Sequence, residues 1–240
     1  MKTSNKLLLT AILVIIGSMI TYDLALRAEY RKGTYKSRFY EMEKLSLEGF
    51  TILDNRVANI ISVQIEYGKS YAVYMNNDLK NNLLISKNGN KLMIDVADKA
   101  KPKINPYKNN VIIICPKLDQ VITSPNIRKS IKEWDNDNGT TSITGFDQQN
   151  MDLLINKSTH LNFEKNKIGH LQATVGDNLS QHAYLFIGSN NQINDATIKV
   201  AGKNQLSIGS PKITKSNFTI SDSAIVNLDG SILKQLRHQQ

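Results

Sequence analysis

The chain has 240 residues, of which 40% are hydrophobic and 21% are charged, so its composition is that of a folded protein rather than a disordered one. The formal net charge of +9 belongs to the first part, since residues 1–132 hold 21 basic and 11 acidic residues. Residues 99–132 carry eight basic residues against Asp119 and no nucleic-acid-binding motif. Solvated lysines are the preferred interpretation, an anionic membrane or acidic glycan the alternative, and a nucleic-acid partner is not expected.

The N-terminal segment is the clearest targeting feature. Residues 7–22 are uncharged, and Lys2 and Lys6 precede them as in a signal sequence. No small-x-small cleavage site follows the apolar run, so we predict an uncleaved signal anchor and transmembrane helix over 1–27. Membrane contact is then expected through residues 7–26, with a cleaved signal peptide as the alternative.

The basic residues before and after the apolar segment predict opposite orientations of the segment in the membrane. A basic linker, predicted over 28–44, places Arg31, Lys32, Lys36 and Arg38 directly after the apolar run. The positive-inside rule would keep these residues, and the body behind them, in the cytoplasm. The lysines before the run favour export instead.

The body of the chain, from residue 45 onward, alternates apolar and polar residues in short runs, which is typical of half-buried strands. "NLLISKNGNKLMIDVA" predicts a hairpin turning at Asn88-Gly89-Asn90. Charge and proline then predict a loop, before "NNVIIICPKLDQVIT" resumes as a buried strand. Cys115 lies within this strand and is interpreted as a core residue that carries no disulfide.

The second half of the body repeats. Apolar residues recur at a step of 20 to 25 in matched positions, which are Leu161, Leu185 and Leu206, then Ile168, Ile193 and Ile213, then Leu171, Ala196 and Ser216, continuing through Val226, Leu228 and Leu233. Gly188, Gly209 and Gly230 recur at a step of 21. Stacked coils explain such matches because each unit alone buries too little to fold. We therefore predict an all-β fold, a parallel β-helix or β-solenoid over 45–234 with a tail at 235–240.

Two details of the coil prediction are specific. Ile187, Ile208 and Leu228 should point inward in adjacent rungs, and the glycines should occupy one corner because corners need special backbone angles. The main competing architecture is an antiparallel sandwich, which requires no stacking at one interval.

From about Leu45 to Leu233 the chain resembles the putative auto-transporter adhesin head GIN domain family. The resemblance rests on "ISVQIEYGKSYAVYM", "LLISKNGNKLMIDV", "NNVIIICPKLDQVIT" and the "IGS" corners. It implies an exported β-helical domain of bacterial envelopes, commonly behind a signal peptide or anchor, and it offers no active site to carry over. With the N-terminal lysines, it leads us to expect a single-pass protein of the bacterial cytoplasmic membrane whose domain lies on the extracytoplasmic side.

No catalytic, cofactor-binding or metal site is predicted. His160, His170 and His182 are spaced irregularly for a metal site, and Asp135, Asp137 and Asp147 only faintly resemble a calcium loop. Acids of the repeat region do not recur at one coil position; they are Asp152, Glu164, Asp177, Asp195, Asp222 and Asp229. "DSA" at Asp222 resembles a bacterial O-glycosylation acceptor, or Ser223 is a corner hydroxyl.

The predicted function is non-catalytic: a membrane-anchored envelope protein that presents a β-solenoid surface for adhesion or for binding a glycan or protein. The first alternative is a bactofilin-like scaffold that assembles end to end through open strand edges. The second is a polysaccharide-active enzyme with converging carboxylates.

Overall fold

The chain divides into two units, residues 1–42 and residues 43–240. The computed structural model describes residues 3–33, 36–97, 109–126, 139–179 and 181–237.

Helix α1, Thr3–Lys32, makes up most of the first unit. Its most apolar 18-residue window has a mean hydropathy of 2.1, so the helix is long and apolar enough to cross a membrane, as a signal sequence near the N-terminus also would be. Three hydroxyls within it donate to carbonyls of the preceding turn: Thr10 to Lys6, Ser18 to Ile15 and Thr21 to Gly17. These bonds give the three hydroxyl groups partners within the helix. The helix continues through Arg27, Arg31 and Lys32, beyond the predicted start of the linker.

The second unit is built of short strands and ends in a helix. The strands are β1 Met42–Leu45, β2 Ile52–Asn55, β3 Ser62–Tyr67, β4 Ala72–Asn76, β5 Leu83–Asn88, β6 Lys91–Val96, β7 Asn109–Cys115, β8 Gln120–Thr123, β9 Thr140–Thr144, β10 Asp147–Ile155, β11 His160–Glu164, β12 Lys167–Val175, β13 Gln181–Ile187, β14 Gln192–Val200, β15 Lys203–Ile208, β16 Lys212–Ile220 and β17 Ile225–Leu228. A 3-10 turn occupies Asn77–Leu79, and helix α2 is Gly230–Arg237.

In the described part of the chain these strands form two sheets. The nine-stranded sheet has the order β1-β4-β7-β3-β9-β11-β13-β15-β17, and the eight-stranded sheet has the order β16-β14-β12-β10-β8-β2-β6-β5. From β8 to β17 the chain alternates between the sheets, and each strand pairs in parallel with the strand two places further on.

The register confirms the matched positions read from the sequence. Leu161, Leu185 and Leu206 are aligned across three strands, and Ile187, Ile208 and Leu228 are aligned beside them. Five of these six side chains are buried, and Leu228 on the last strand is half-buried against the core. The spacing of 20 to 25 residues is therefore the length of chain between stacked, parallel strands.

Both sheets are mixed, however. The fold is therefore not clearly the single parallel β-helix or β-solenoid that was predicted over 45–234. Strand β4 runs antiparallel to β7, and β5 runs antiparallel to β6. The second pair is the predicted hairpin, whose turn places Gly89 at a φ of +60°. A tight hairpin reverses the chain, which a coil with parallel rungs does not do.

The predicted continuation of the ladder to Leu233 is wrong, because Leu233 lies in α2 rather than in a strand. Ile232, in the same helix, is buried and belongs to the core. Helix α2 extends to Arg237, into the predicted tail at 235–240.

The glycine corner differs from its prediction in cause and in extent. Gly188 and Gly209 do not have positive φ; instead, a Cβ at Gly188 would lie 2.9 Å from Glu164 Cγ, and one at Gly209 would lie 2.9 Å from Ser189 Oγ. Close approach between stacked corners explains both glycines. Gly230 is not the third member, since Asp229 takes the equivalent place and its N–H donates to Ile208 O (3.1 Å).

A buried pair of asparagines, which the sequence did not indicate, lies in the same stacked connections as the Gly188 corner: Asn166 between β11 and β12, and Asn191 between β13 and β14. The N–H of Phe146 donates to Asn166 Oδ1 (3.0 Å), and the N–H of Asn166 donates to Asn191 Oδ1 (2.9 Å). Asn191 Nδ2 donates to the carbonyls of Phe163 and Gly188, both at 2.7 Å. These side chains therefore link the backbones of successive rungs where the sheet ladders are interrupted.

Cys115 is fully buried on β7, as predicted, and is a free cysteine. Burial raises the pKa of its thiol to about 12. We expect the native protein at pH 8 to react with Ellman's reagent at least about a hundredfold more slowly than the protein in denaturant, because only the thiolate reacts and the native thiol stays protonated. Native and denatured rates measured side by side test this, and equal rates would contradict it.

Candidate binding surface

The outward side of the nine-stranded sheet is defined by the alternation of buried and exposed residues. On β13, Ala183, Leu185 and Ile187 are fully buried. Tyr184 and Phe186, which alternate with them, therefore point outward and are half-buried. The same alternation holds on β9, β11 and β15. We call the outward side of β9, β11, β13, β15 and β17 the outer face.

Two cross-strand rows make up the outer face because the parallel register stacks equivalent residues. The first row is Thr140, His160, Tyr184, Gln205 and Ile225. The second row is Ser142, Asn162, Phe186, Ser207 and Asn227.

Aromatic rings and small polar groups are neighbours on this face. The rings of His160 and Tyr184 meet edge to face, with centroids 5.7 Å apart at 79°. Asn227 Nδ2 donates to Ser207 Oγ across the next pair of strands (3.3 Å). The two rows hold no lysine, arginine, aspartate or glutamate. Glu164, at the end of β11, and Lys203, at the start of β15, border them.

The outward side of the eight-stranded sheet has a different character. Lys167 Nζ lies 3.7 Å from Asp147 Oδ2, and His170 Nδ1 lies 3.4 Å from Asp195 Oδ2. Lys215 registers directly beside Asp195 on the next strand. This side therefore carries charges of both signs, whereas the outer face carries none in its two rows.

The three histidines do not come together. His160 lies on the nine-stranded sheet and His170 on the eight-stranded sheet. His182 is the second residue of β13 and has a φ of +63°. Among the residues that the structure describes, no group of three or more His, Cys, Asp or Glu side chains is placed to hold a metal ion. Of the faint calcium loop, Asp147 is exposed, and Asp135 and Asp137 lie outside the described residues.

The six acids weighed for catalysis are scattered, and no register pair joins two of them. Glu164 registers with Thr144, Asp152 with Gln120 and Gln172, and Asp195 with His170 and Lys215. Three lie in connections: Asp177 accepts from the N–H of Leu179 (2.9 Å), Asp222 is exposed in a turn, and Asp229 accepts from Ser210 Oγ (3.2 Å). Ser223, the hydroxyl of the "DSA" motif, is exposed in the same turn and lies 3.1 Å from Ser221 Oγ.

The outer face was not found from the sequence, although one signal was present. "YLFI" on β13 puts two aromatic residues at alternate positions between buried aliphatic ones. In a half-buried strand, alternation assigns such residues to one side. The predicted inward direction of Ile187 already implies that Phe186 points outward. The register adds which residues lie beside it on the neighbouring strands.

A scan against protein-family models finds no match, and neither does a search of curated proteins. A search of solved structures finds similar chains, three of which follow by name, identity and coverage. A "putative adhesin" from Bacteroides fragilis is 12% identical, with a TM-score of 0.42 over 78% of this chain and 96% of that chain. A "putative lipid binding protein" from Parabacteroides distasonis is 12% identical, with a TM-score of 0.37 over 78% and 96%. A "putative adhesin" from Parabacteroides merdae is 11% identical, with a TM-score of 0.37 over 78% and 93%. All three TM-scores are below 0.5.

Proposed function

We propose that this protein is a non-catalytic, membrane-tethered component of a bacterial envelope that presents a β-solenoid-like surface for adhesion or binding. The observation that carries the proposal is the outer face, where two register-aligned rows of polar and aromatic side chains cross five parallel strands. Such a face is rigid because its inner side is the core of the fold, and rigid elements hold binding groups more precisely than loops do.

The β-solenoid assignment applies to the part of the body from β8 onward. Support comes from the parallel pairing at every step and from the regular alternation between the two sheets. The antiparallel pairs β4–β7 and β5–β6 then belong to an N-terminal cap on the stack.

An enzyme is less well supported. Glycoside hydrolysis needs two carboxyl groups facing each other across the scissile bond. Glu164 lies on the nine-stranded sheet, Asp152 and Asp195 lie on non-adjacent strands of the eight-stranded sheet, and no register pair joins two of the acids.

A scaffold that stacks end to end is also less well supported. Stacking requires an uncovered last coil, whereas α2 follows β17 directly and buries Ile232 in the core. A capped end opposes addition of a further coil.

The tethering proposal places the body outside the cytoplasm, with α1 as the anchor. A reporter enzyme that is active only outside the cytoplasm, fused after residue 240, should be active, and a reporter active only inside the cytoplasm should be inactive at the same site. Positive charges in the last turns of α1 and directly after it oppose this orientation, as the positive-inside rule predicts. The opposite pair of activities would place the body in the cytoplasm and overturn the proposed function.

A further inference from the structure

We propose that the outer face binds an uncharged polysaccharide. This inference rests on the proposed function, because an envelope polysaccharide can reach only a body that lies outside the cytoplasm. It adds the chemical class of the partner and the residues that recognise it.

The aromatic residues supply a stacking surface. Tyr184 and Phe186 are two residues apart on β13, which places them about 7 Å apart along the strand as neighbouring rings on one side of the sheet. His160 packs edge to face on Tyr184 and narrows the positions that the Tyr184 ring can take. The C–H faces of pyranose rings pack on aromatic rings, and a ring already held in place loses little entropy on binding.

The groups around these rings suit sugar hydroxyls. Each hydroxyl both donates and accepts a hydrogen bond, and amide and hydroxyl side chains do the same. Asn162 and Ser207 flank Phe186 on the neighbouring strands, and Gln205 flanks Tyr184. All three are half-buried, so they are held by the sheet while remaining accessible.

The charge distribution selects a neutral ligand. The two rows of the outer face carry no basic residue that would pair with a carboxylate, sulfate or phosphate of an acidic polymer. Glu164 at the border would repel such groups. Lys203, exposed at the start of β15, is a basic residue of the outer face that lies outside the two rows. On the eight-stranded sheet, Lys199 and Lys215 are both exposed. An acidic polysaccharide would therefore favour the opposite side of the body.

The test uses the full chain in a polyoxyethylene-ether detergent, whose headgroup contains no sugar. Binding is measured by biolayer interferometry against a neutral β-glucan, a neutral mannan and a neutral xylan, with polygalacturonate as the acidic probe. We expect at least one neutral polymer to bind. Tyr184→Ala/Phe186→Ala should weaken that binding by about tenfold or more, whereas Lys199→Glu/Lys215→Glu should leave it within about twofold.

A second pair of substitutions separates recognition from folding. Tyr184→Leu/Phe186→Leu keeps the apolar packing of the half-buried side chains but removes the rings, so it should weaken binding as the alanine pair does. Binding to none of the neutral polymers, unchanged binding by the leucine pair, or binding to polygalacturonate alone would each overturn the inference. An extracytoplasmic reporter result together with any of these outcomes would leave the proposed function standing and remove only its glycan partner.

Discussion

An Ile208→Asp substitution is expected to lower the free energy of unfolding by at least about 4 kcal/mol, the largest single effect that we predict. Ile208 is only 2% exposed and lies between Ile187 and Leu228 in adjacent parallel strands. An aspartate there would bury a carboxylate that has no cationic partner, or it would have to be protonated to remain inside. Since domains are typically stable by 5–15 kcal/mol, this loss would remove a large part of the total.

Ser207→Asp is the matched control because Ser207 precedes Ile208 on the same strand and points to the opposite side. The same charge placed there meets solvent, so a change within about 1 kcal/mol is expected. Urea unfolding of the full chain in detergent, followed by circular dichroism near 217 nm, compares the two variants with the parent. Equal midpoints for the two variants would mean that Ile208 does not face the core.

Register was predictable because burial constrains it strongly. A strand shifted by one residue would turn its whole apolar set outward, so aligned positions such as Leu161, Leu185 and Leu206 are enforced by the core. The hairpin at Asn88-Gly89 was predictable for a local reason, because its backbone angles suit these residues. Pattern and turn chemistry were therefore sufficient for the stacked strands and for this turn.

The direction of chain pairing in the first half was not predictable in the same way. Strand β7 lies between a parallel partner, β3, and an antiparallel partner, β4. The alternation of apolar residues is identical for both directions, so the sequence contains no local signal that separates them. The pairing direction is instead set by contacts between strands that are distant in sequence, and it is this pairing that makes the sheets mixed.

The corners were only half predictable. A glycine that recurs at a regular step predicts a constraint on the backbone. However, a positive φ and a close approach between rungs both lead to the same recurrence of a small residue along the stack. At Gly188 the reason is the side chain of Glu164 in the neighbouring rung, which only the register reveals. The burial of the two asparagines was not predictable either, because an asparagine in a polar stretch of sequence is more often exposed.

The second large effect is expected at Asn191, where Asn191→Ala should lower the free energy of unfolding by about 3–5 kcal/mol. The substitution leaves the N–H of Asn166 without its acceptor and the carbonyl of Gly188 without the Asn191 Nδ2 donor, while the carbonyl of Phe163 keeps its bond from the N–H of Gly188 (2.9 Å). Each buried polar group left without a partner costs about 1–3 kcal/mol. Asn190→Ala is the matched control, since Asn190 is exposed, and it should change the stability by less than about 0.5 kcal/mol.

Asn191→Asp distinguishes lost hydrogen bonds from lost packing, because it keeps the size of the side chain. The introduced carboxylate could still accept from the N–H of Asn166, but it would face two carbonyl oxygens that now receive donors at 2.7 Å. Burial and these oxygens favour the protonated acid, so its pKa is raised in the folded state. The variant should therefore gain stability relative to the parent as the pH falls from 7 to 5, since the folded state then binds the proton that the unfolded state lacks. A stability difference that does not vary over this pH range would mean that the Asn191 side chain acts by filling space.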